Sequence, residues 1–395
     1  ADSAVKAQIL AAMERFLINK GASIPFMNNS GAAVYSDRVT LRTTDFVPLM
    51  GWGALYATLG DNDPVTGNPY RNFTTGNPVT LNHLQYADSI ESDIMTLTEL
   101  ALFSIEFNEN FDGYVMVPSA ATELAQPVLW DETLGEWVVI QDFDTQVDTA
   151  FSWRITIRDD LKFVDKNGNV LKDIDANDFM YSYRMALDPV QANRRANLFY
   201  SASGIPIKGA EDYFNQRDAA GDRNIPAQGR YDGDYATKSW DTVGIHQIDD
   251  YSWVFELTTA FQQWDVLYNT SGFVFAPVYE PLFEAGFDAD RKVTNYGSNV
   301  DRYASSGPYR LTYWENQVEI RYAKNDHFVY ADGVHEYVPS RITTAIVRDA
   351  NAAIELFENG ELDVVTIPAT HYDQYRNHEG LKKSPGATAF RFSVN

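Results

Sequence analysis

Residues that could do chemistry are frequent in this sequence, but none stands at a spacing typical of a catalytic or metal site. The histidines form no H-E-x-x-H motif and no pair four residues apart. Carboxylates are so common, at 55 residues, that no spacing singles out an acid and a base. No G-x-S-x-G elbow and no phosphate loop occurs. We therefore predict no catalytic residue, no metal site and no cofactor.

One short segment has some of the ligand types of a calcium loop. Asp165, Asn167 and Asn169 alternate as such a loop requires, but Gly168 stands at the wrong position and no Glu follows twelve residues along. Gly and Asn accept the positive φ angles of tight turns. The segment is therefore predicted to be a turn.

Composition limits the class of protein. With 395 residues, 45% of them hydrophobic, the chain is long enough for two or more packed units. Its formal charge of -24 argues against a nucleic-acid partner or an anionic membrane surface, because both require basic residues. Cys is absent, which excludes disulfides and thiolate sites without identifying the compartment. No apolar run approaches the ~20 residues of a membrane span, and we expect that any export signal has been removed or left out.

Residues 151–189 carry the clearest structural pattern. Apolar and polar residues alternate from Trp153 to Ile157, which predicts a strand with one buried face. The turn at Gly168 follows, and Asp175 can then cap a helix that ends at Asp188-Pro189. The buried face of this helix is predicted to consist of Phe179, Tyr183, Ala186 and Leu187.

This order of strand, turn, capped helix and Asp-Pro resembles the signature of the extracellular solute-binding proteins of family 5, the peptide receptors of ABC importers. The pattern there runs roughly W-x-F-x-L-R-x-x-x-K-F-x-D-G-x-x-x-x-A-x-D-F-x-Y-S-x-x-R-x-x-D-P. The residues that match are Trp153, Ile155, Ile157, Arg158, Lys162, Phe163, Gly168, Ala176, Asp178, Phe179, Tyr181, Ser182, Arg184, Asp188 and Pro189.

The resemblance extends over nearly the whole chain. Residues 71–84 are similar to the family's amino-terminal strand, although His83 stands where the family usually has Pro. Residues 90–107 resemble its first helix, and residues 305–330 include a Ser-Gly-Pro-Tyr turn like its G-T-G-P-Y. Residues 342–367 are predicted to form a strand, a helix capped by Asp349 and closed by Gly360, and a second strand.

The first 60 residues resemble the family's carboxyl end rather than its beginning. Asp2 and Ser3 can cap a helix, and short strands follow it. One face of that helix would carry the apolar residues Val5, Ile9, Met13, Phe16 and Leu17. The family segments thus occur in permuted order, and most of the second lobe is expected to be absent. Three alternatives fit this order: a deliberate circular permutant, segments numbered out of chain order, or a natural rearrangement.

The resemblance implies a mixed-sheet α/β fold of the type II periplasmic-binding-protein class (cluster C), specifically lobe I with an inserted subdomain. Residues 1–67 would pack on lobe I, to which residues 68–102 and 277–385 also belong. Residues 103–276 would form the inserted subdomain, and residues 386–395 would cross toward the missing lobe II.

Candidate ligand residues follow from the same resemblance. In the family, the loop before the first helix lines the ligand cleft, and the region after the Asp-Pro helix approaches the ligand. These regions hold Tyr86, Asp88, Ser89, Ile90 and Glu91, and then Arg195, Asn197, Phe199 and Tyr200. Helix capping by Asp88 or Ser89 is the structural alternative for the first group. A solvated surface is the alternative for the second.

The function implied is capture of oligopeptides and their delivery to the membrane subunits of an ABC importer, without enzymatic activity. The protein would be a monomer outside the cytoplasm, in the periplasm or held at the cell surface by a lipid anchor. Oligosaccharides or nickel chelates are alternative ligands, because the same fold serves them. A secreted polysaccharide hydrolase is the alternative from another class, suggested by acidity and by 14% aromatic residues.

Overall fold

The computed structural model describes residues 3–20, 23–28, 30–60, 69–191, 193–216, 239–289, 291–330, 336–386 and 389–393. The helices among them are α1 (Ser3–Asn19), α2 (Ser89–Thr98), α3 (Ala176–Ala186), α4 (Ala210–Phe214), α5 (Gln263–Thr270), α6 (Glu280–Ala285), α7 (Ala350–Glu358) and α8 (Tyr372–Tyr375). Within these ranges, no helix is both long enough and apolar enough to cross a bilayer.

The strands of the first half are β1 (Ser23–Asn28), β2 (Gly31–Tyr35), β3 (Val39–Thr40), β4 (Thr58–Leu59), β5 (Tyr70–Thr74), β6 (Phe103–Phe107), β7 (Tyr114–Pro118), β8 (Gln126–Asp131), β9 (Glu136–Val139) and β10 (Ala150–Thr156). Those that follow are β11 (Lys162–Val164), β12 (Val170–Asp173), β13 (Ile245–Gln247), β14 (Ser252–Phe261), β15 (Tyr309–Glu315), β16 (Glu319–Lys324), β17 (Arg341–Ile346), β18 (Val364–Thr366), β19 (Leu381–Ser384) and β20 (Ala389–Ser393). The result is a mixed α/β protein, as predicted.

The pattern in residues 151–189 is confirmed element by element. Trp153 and Ile155 of β10 are buried, and Gly168 has φ 89° in the turn between β11 and β12. Asp165 accepts the backbone N–H groups of Asn167 at 2.8 Å and Asn169 at 2.9 Å, so its carboxylate closes the turn. The calcium-like spacing is therefore used for local hydrogen bonds.

Helix α3 begins with the predicted cap. Asp175 Oδ1 accepts the N–H of Asn177 at 2.9 Å, and the N–H of Asp175 donates to Asp178 Oδ2 at 3.0 Å. This reciprocal arrangement satisfies backbone groups that a helix start leaves without partners. The apolar face then packs on the sheet, with the rings of Phe179 and Trp253 4.9 Å apart.

A five-stranded antiparallel sheet of order β13-β14-β10-β8-β9 supports α3. A four-stranded sheet of order β15-β16-β17-β5 lies elsewhere in the described chain, and β17 pairs in parallel with β5, placing Ile342 opposite Tyr70. A three-stranded sheet of order β18-β2-β19 joins the residues after α1 to the carboxyl-terminal half. The domain boundaries drawn from the sequence stay a prediction.

Asp363 links three separate parts of the chain. Its fully buried carboxylate contacts Arg38 at 2.6 Å and Arg71 at 2.7 Å, and it also accepts the N–H of Arg71 at 2.7 Å. A buried carboxylate requires such partners, since burying an isolated charge is costly. The residues after β1 are thereby tied to β5 and to the start of β18.

Helix α1 forms as predicted, but its apolar face is exposed among the described residues. The side chains of Val5, Ile9, Met13 and Phe16 are 46 to 59% exposed, and the side chain of Leu17 and the predicted cap at Asp2 lie outside the description. The chain leaves α1 through β1, which pairs antiparallel with β20. Residues 387–388 and 394–395 of the predicted crossing strand also lie outside the description.

The predicted helix over residues 90–107 is wrong in its second half. Helix α2 ends at Thr98, whose carbonyl accepts the N–H groups of Ser306 at 2.8 Å and Gly307 at 2.9 Å. A Cβ atom on Gly307 would lie 2.7 Å from the backbone of Glu99, so only glycine allows this approach. Residues 103–107 then form β6, which pairs with β7.

Candidate ligand-binding surface

The buried carboxylate of Glu91 shapes the loop before α2. Its Oε1 accepts the N–H groups of Val79 at 2.8 Å and Thr80 at 2.9 Å, and its Oε2 accepts those of Ala87 at 2.8 Å and Asp88 at 3.2 Å. Burial by itself would raise the pKa of Glu91, but these four donors hold it below the usual value. The loop is thus held by a charged acceptor at its base.

Asp88 is the N-cap of α2 and forms a capping box with Glu91. Asp88 and Ser89 are exposed at the rim of the loop, and Ile90 is half-buried. Capping is therefore the role that the contacts show for Asp88 and Glu91. A ligand contact by Asp88, Ser89 or Ile90 stays a prediction.

Tyr86 contacts Arg195 and Phe273, and these three residues are here called the Tyr86 cluster. The guanidinium carbon of Arg195 lies 3.8 Å from the centre of the Tyr86 ring, and its Nη2 donates to the Tyr86 carbonyl at 3.3 Å. Tyr86 also contacts Phe273, with ring centres 5.4 Å apart and ring planes at 60°. Burial raises the pKa of the Tyr86 hydroxyl, while the charge of Arg195 opposes that rise. A cation held on an aromatic face in this way is a favourable contact.

A pocket of about 420 Å³, here called the loop pocket, opens at the loop before α2. Most of its lining residues are polar, and they include two cations, Arg194 and Lys292, and two carboxylates, Asp88 and Glu91. It is lined by Val79, Thr80, Asn82, Gln85, Ala87, Asp88, Glu91, Gln191, Arg194, Lys292, Val293 and Thr294. Gln85 is held in place by a hydrogen bond to the side chain of Asn193.

A second pocket, here called the aromatic pocket, shares Phe273 with the Tyr86 cluster and has a volume of about 180 Å³. It is lined by Thr96, Glu99, Leu100, Ala101, Ser104, Glu106, Val117, Pro118, Ser119, Ser271, Gly272, Phe273, Pro308, Phe328, Tyr330 and Tyr337. Four separate segments of the chain meet here. The loop pocket, the Tyr86 cluster and the aromatic pocket make up the candidate ligand-binding surface.

Residues 117–395 match the model of the bacterial extracellular solute-binding proteins, family 5 Middle. The chain is a member of this family. The match includes residues 151–189, where the resemblance had been predicted, and it agrees with the mixed α/β architecture.

Curated relatives of this family member include two proteins of Bacillus subtilis (strain 168). The dipeptide-binding protein DppE is 25% identical over 262 residues, which are 66% of this chain and 39% of the relative. The oligopeptide-binding protein OppA is 26% identical over 217 residues, 55% of this chain and 32% of the relative. The chain therefore spans well under half the length of each.

Solved structures with the same fold include Listeria monocytogenes OppA bound to peptide, at a TM-score of 0.56 and 20% identity. That match covers 78% of this chain and 48% of the other. The murein tripeptide-binding protein MppA of Escherichia coli matches at a TM-score of 0.54 and 18% identity over 79% of this chain and 48% of the other. The predicted type II periplasmic-binding-protein fold is confirmed.

The structure of this solute-binding protein brings some of the predicted ligand residues together and leaves others apart. Tyr86 and Arg195 contact each other, and Asp88 and Glu91 line the loop pocket. Phe199 is fully buried against Phe275, with ring centres 4.6 Å apart. The other predicted residues line neither the loop pocket nor the aromatic pocket: Tyr86, Ser89, Ile90, Arg195, Asn197, Phe199 and Tyr200.

Sequence reasoning missed the aromatic pocket because it treated residues 99–107 as a continuous helix. Glu99 and Glu106 are buried carboxylates in that segment, at 5 and 7% exposure. Two acidic residues within a largely apolar segment were the available signal, since a buried charge in such a place usually has a specific role. Phe273 and Tyr337 carried no comparable signal.

In the described ranges, no group of three or more His, Asp or Glu side chains could hold a metal ion. His83, which stands at the family's proline position, is fully buried, and its Nδ1 lies 2.6 Å from Glu99 Oε2. His335 lies outside the described residues.

Proposed function

We propose that this chain is one lobe of a receptor that captures oligopeptides outside the cytoplasm and delivers them to an ABC importer. Membership in a family of extracellular solute-binding proteins carries the proposal. Its curated relatives include a dipeptide-binding and an oligopeptide-binding protein, which supports peptides as the ligand class. Listeria monocytogenes OppA, which has the same fold, was solved with a peptide bound to it.

The described surface supports this ligand class. Peptides carry alternating polar backbone groups and side chains, so a receptor needs both polar contacts and side-chain pockets. The loop pocket supplies polar groups such as Asp88, Gln85 and Arg194, and the half-buried Tyr86 of the same loop supplies an aromatic ring. The buried side chain of Glu91 fixes the loop, so little ordering cost would accompany binding.

This lobe alone would bind peptides weakly. Ligand sites usually enclose most of the ligand surface, and two-lobed receptors achieve this by closing around it. One lobe provides one wall and does not exclude water. We propose in addition that the protein is a monomer without enzymatic activity or nucleic-acid partner, and that it works in the periplasm or at the cell surface through a lipid anchor.

Ligand-observed NMR can test the proposal at the weak affinities expected. The 395-residue chain would be mixed in separate samples with a library of tripeptides to pentapeptides, with oligosaccharides and with a nickel chelate. We expect saturation transfer to the peptides alone. Tyr86→Ala should remove most of it, while the matched variant Tyr251→Ala, on an exposed turn away from both pockets, should not.

Saturation transfer to the oligosaccharides or to the nickel chelate, and not to the peptides, would show that peptides are not the ligand class. Hydrolysis of any library member would contradict a receptor without chemistry and would support the hydrolase alternative. Equal loss of signal in the two tyrosine variants would remove Tyr86 from the proposed surface.

A further inference from the structure

Strand β7 has backbone groups that face away from its partner strand. It pairs with β6 and with no other described strand. At the two ends of this pairing, the carbonyl of Gly113 accepts a hydrogen bond at 3.0 Å and the N–H of Ser119 donates one at 3.1 Å. Because hydrogen-bonded residues alternate along an antiparallel pair, the N–H and C=O groups of Tyr114 and Met116 point away from β6. The outer edge of β7 therefore offers donors and acceptors at the spacing that a further strand requires.

The side chains of β7 do not protect this edge. Proteins usually block an exposed edge with Lys, Pro, an inward-pointing charge or a bulge. The first four residues of β7 are Tyr114, Val115, Met116 and Val117, and the register with β6 is uninterrupted. Tyr114 and Val115 are 41 and 40% exposed. An exposed apolar edge of this kind is a predicted site of pairing with another strand.

A groove of about 310 Å³, here called the edge groove, lies beside β7. Tyr114, Val115 and Met116 line it from β7, and Trp264 and Leu267 line it from α5. None of its lining residues lines the loop pocket or the aromatic pocket. Since a cavity of about 150 Å³ admits benzene, the edge groove has room for about two apolar side chains. Residues two positions apart in an added strand can supply them, because they lie on the same face.

Helix α5 presents an aromatic pair at the edge groove. The rings of Trp264 and Tyr268 are stacked, with centres 4.9 Å apart and planes at 11°. Their side chains are 47 and 41% exposed. The face of such a ring attracts a Lys or Arg side chain. A strand that enters the groove is therefore bound more tightly if it carries a basic residue.

The segments around the edge groove carry charge of one sign. Residues 102–153 contain ten Asp or Glu residues and no Lys, Arg or His, and residues 255–273 also contain no basic residue. The exposed Asp144 and Asp148 flank Thr145 and Gln146, which line the groove. A second copy of this chain would bring the same negative charge to this edge and would be repelled. A basic strand is the complementary partner.

We propose that β7 accepts an extended segment of another protein as an added strand. Two apolar residues of that segment occupy the edge groove, and its Lys or Arg residues contact the Trp264–Tyr268 pair and the acidic segments around it. The backbone groups of Tyr114 and Met116 bond to the added strand, as in other cases of β-strand addition. This interaction goes beyond the proposed function, because it uses neither the loop pocket nor the aromatic pocket.

A synthetic peptide with blocked ends, acetyl-KTVTVTK-amide, can serve as the probe. Two matched peptides carry N-methyl groups, one on both Val residues and the other on the Thr residues between and after them. Only one of these sets of N–H groups can face β7, so one methylated peptide should bind about ten-fold more weakly than the probe and the other should not. An acidic counterpart with Glu in place of Lys should also bind about ten-fold more weakly.

Amide exchange of the whole chain, followed by NMR, locates the bound probe. The amides of Tyr114 and Met116 should become protected, whereas those of Val115 and Val117, which already face β6, should not change. Trp264→Ala should weaken probe binding about ten-fold, because it removes one wall of the groove. Trp130→Ala, at a 43% exposed Trp of β8 outside the groove, is the matched control and should have no effect.

Equal affinity of the two methylated peptides, or no binding of any peptide, would overturn strand addition and leave the proposed function intact. Loss of probe binding in Tyr86→Ala would also overturn it, since the probe would then occupy the surface proposed for transported peptides. Protection of the Tyr114 and Met116 amides that rises with protein concentration in the absence of probe would show that a second copy covers this edge. That result would overturn the basic partner.

Discussion

Helices α1 and α3 both have an apolar face, but this face is buried in α3 and exposed in α1. In α3, Phe179 and Tyr183 are completely buried against the five-stranded sheet. In α1, Met13 and Phe16 occupy equivalent positions on an apolar face and are 56 and 59% exposed. Similar spacing of apolar residues therefore formed a helix in both places, but only α3 has a described surface to cover its face. Periodicity defines a face, and the partner that buries it comes from elsewhere in the chain.

The largest effect expected from this difference is on stability. Phe179→Ala should lower the free energy of unfolding by about 3–5 kcal/mol, because it removes a buried ring and leaves a cavity. Phe16→Ala, the same change on α1, should alter it by less than about 0.5 kcal/mol. Urea unfolding of both variants measures the contrast. Similar losses would mean that the face of α1 is covered in solution.

A second substitution tests whether the ion pairs of Asp363 hold the residues after α1 to the rest of the protein. Asp363→Ala should cost about 3 kcal/mol, because Arg38 and Arg71 would lose the buried carboxylate that they share. The free energy of unfolding from urea titration gives the value. Asp373→Ala, at a 92% exposed side chain, is the control and should have little effect. A negligible cost at Asp363 would mean that β2 is held by its strand pairing alone.

The cap of α3 should contribute less than its buried face. Asp175→Ala removes the acceptor for the N–H of Asn177 and should cost about 1 kcal/mol without changing peptide binding. Asp159→Ala, at an exposed carboxylate, is the matched control. Differential scanning calorimetry reports both. No loss at Asp175 would place the start of α3 elsewhere.

The contribution of the Glu91 carboxylate, at the start of α2, to the free energy of unfolding should depend on pH. The folded pKa of Glu91 is lower than its unfolded value of about 4.3, so the carboxylate's contribution is complete above that value and is lost as the pH falls through the folded pKa. Glu91→Gln should therefore be less stable than the wild type near neutrality, and the gap should narrow on acidification. Unfolding free energies measured from about pH 6 to about pH 3 test this. A gap independent of pH would show that the four backbone donors do not favour the charged form.

Much of the local structure could be predicted from the sequence. The turn at Gly168, the cap at Asp175 and the start of α7 at Asp349, whose Oδ1 accepts the N–H of Ala352 at 2.9 Å, all depend on residues within a few positions of each other. The family resemblance, which rests on such local patterns at fixed spacing, was confirmed together with the fold. For the candidate site, it led to the loop and to Tyr86 and Arg195, which contact each other.

The tertiary structure decided what local patterns could not. Helix α2 stops at Thr98 because Ser306 and Gly307, from a distant part of the chain, bind its last carbonyl, and no pattern within residues 90–107 contains that information. The aromatic pocket likewise exists only where residues of four distant segments meet. By itself the sequence determined the turns, the caps and the apolar faces, since these depend on neighbouring residues. The end of α2, the exposure of α1 and the aromatic pocket depend on contacts between distant residues, which form only when the chain is folded.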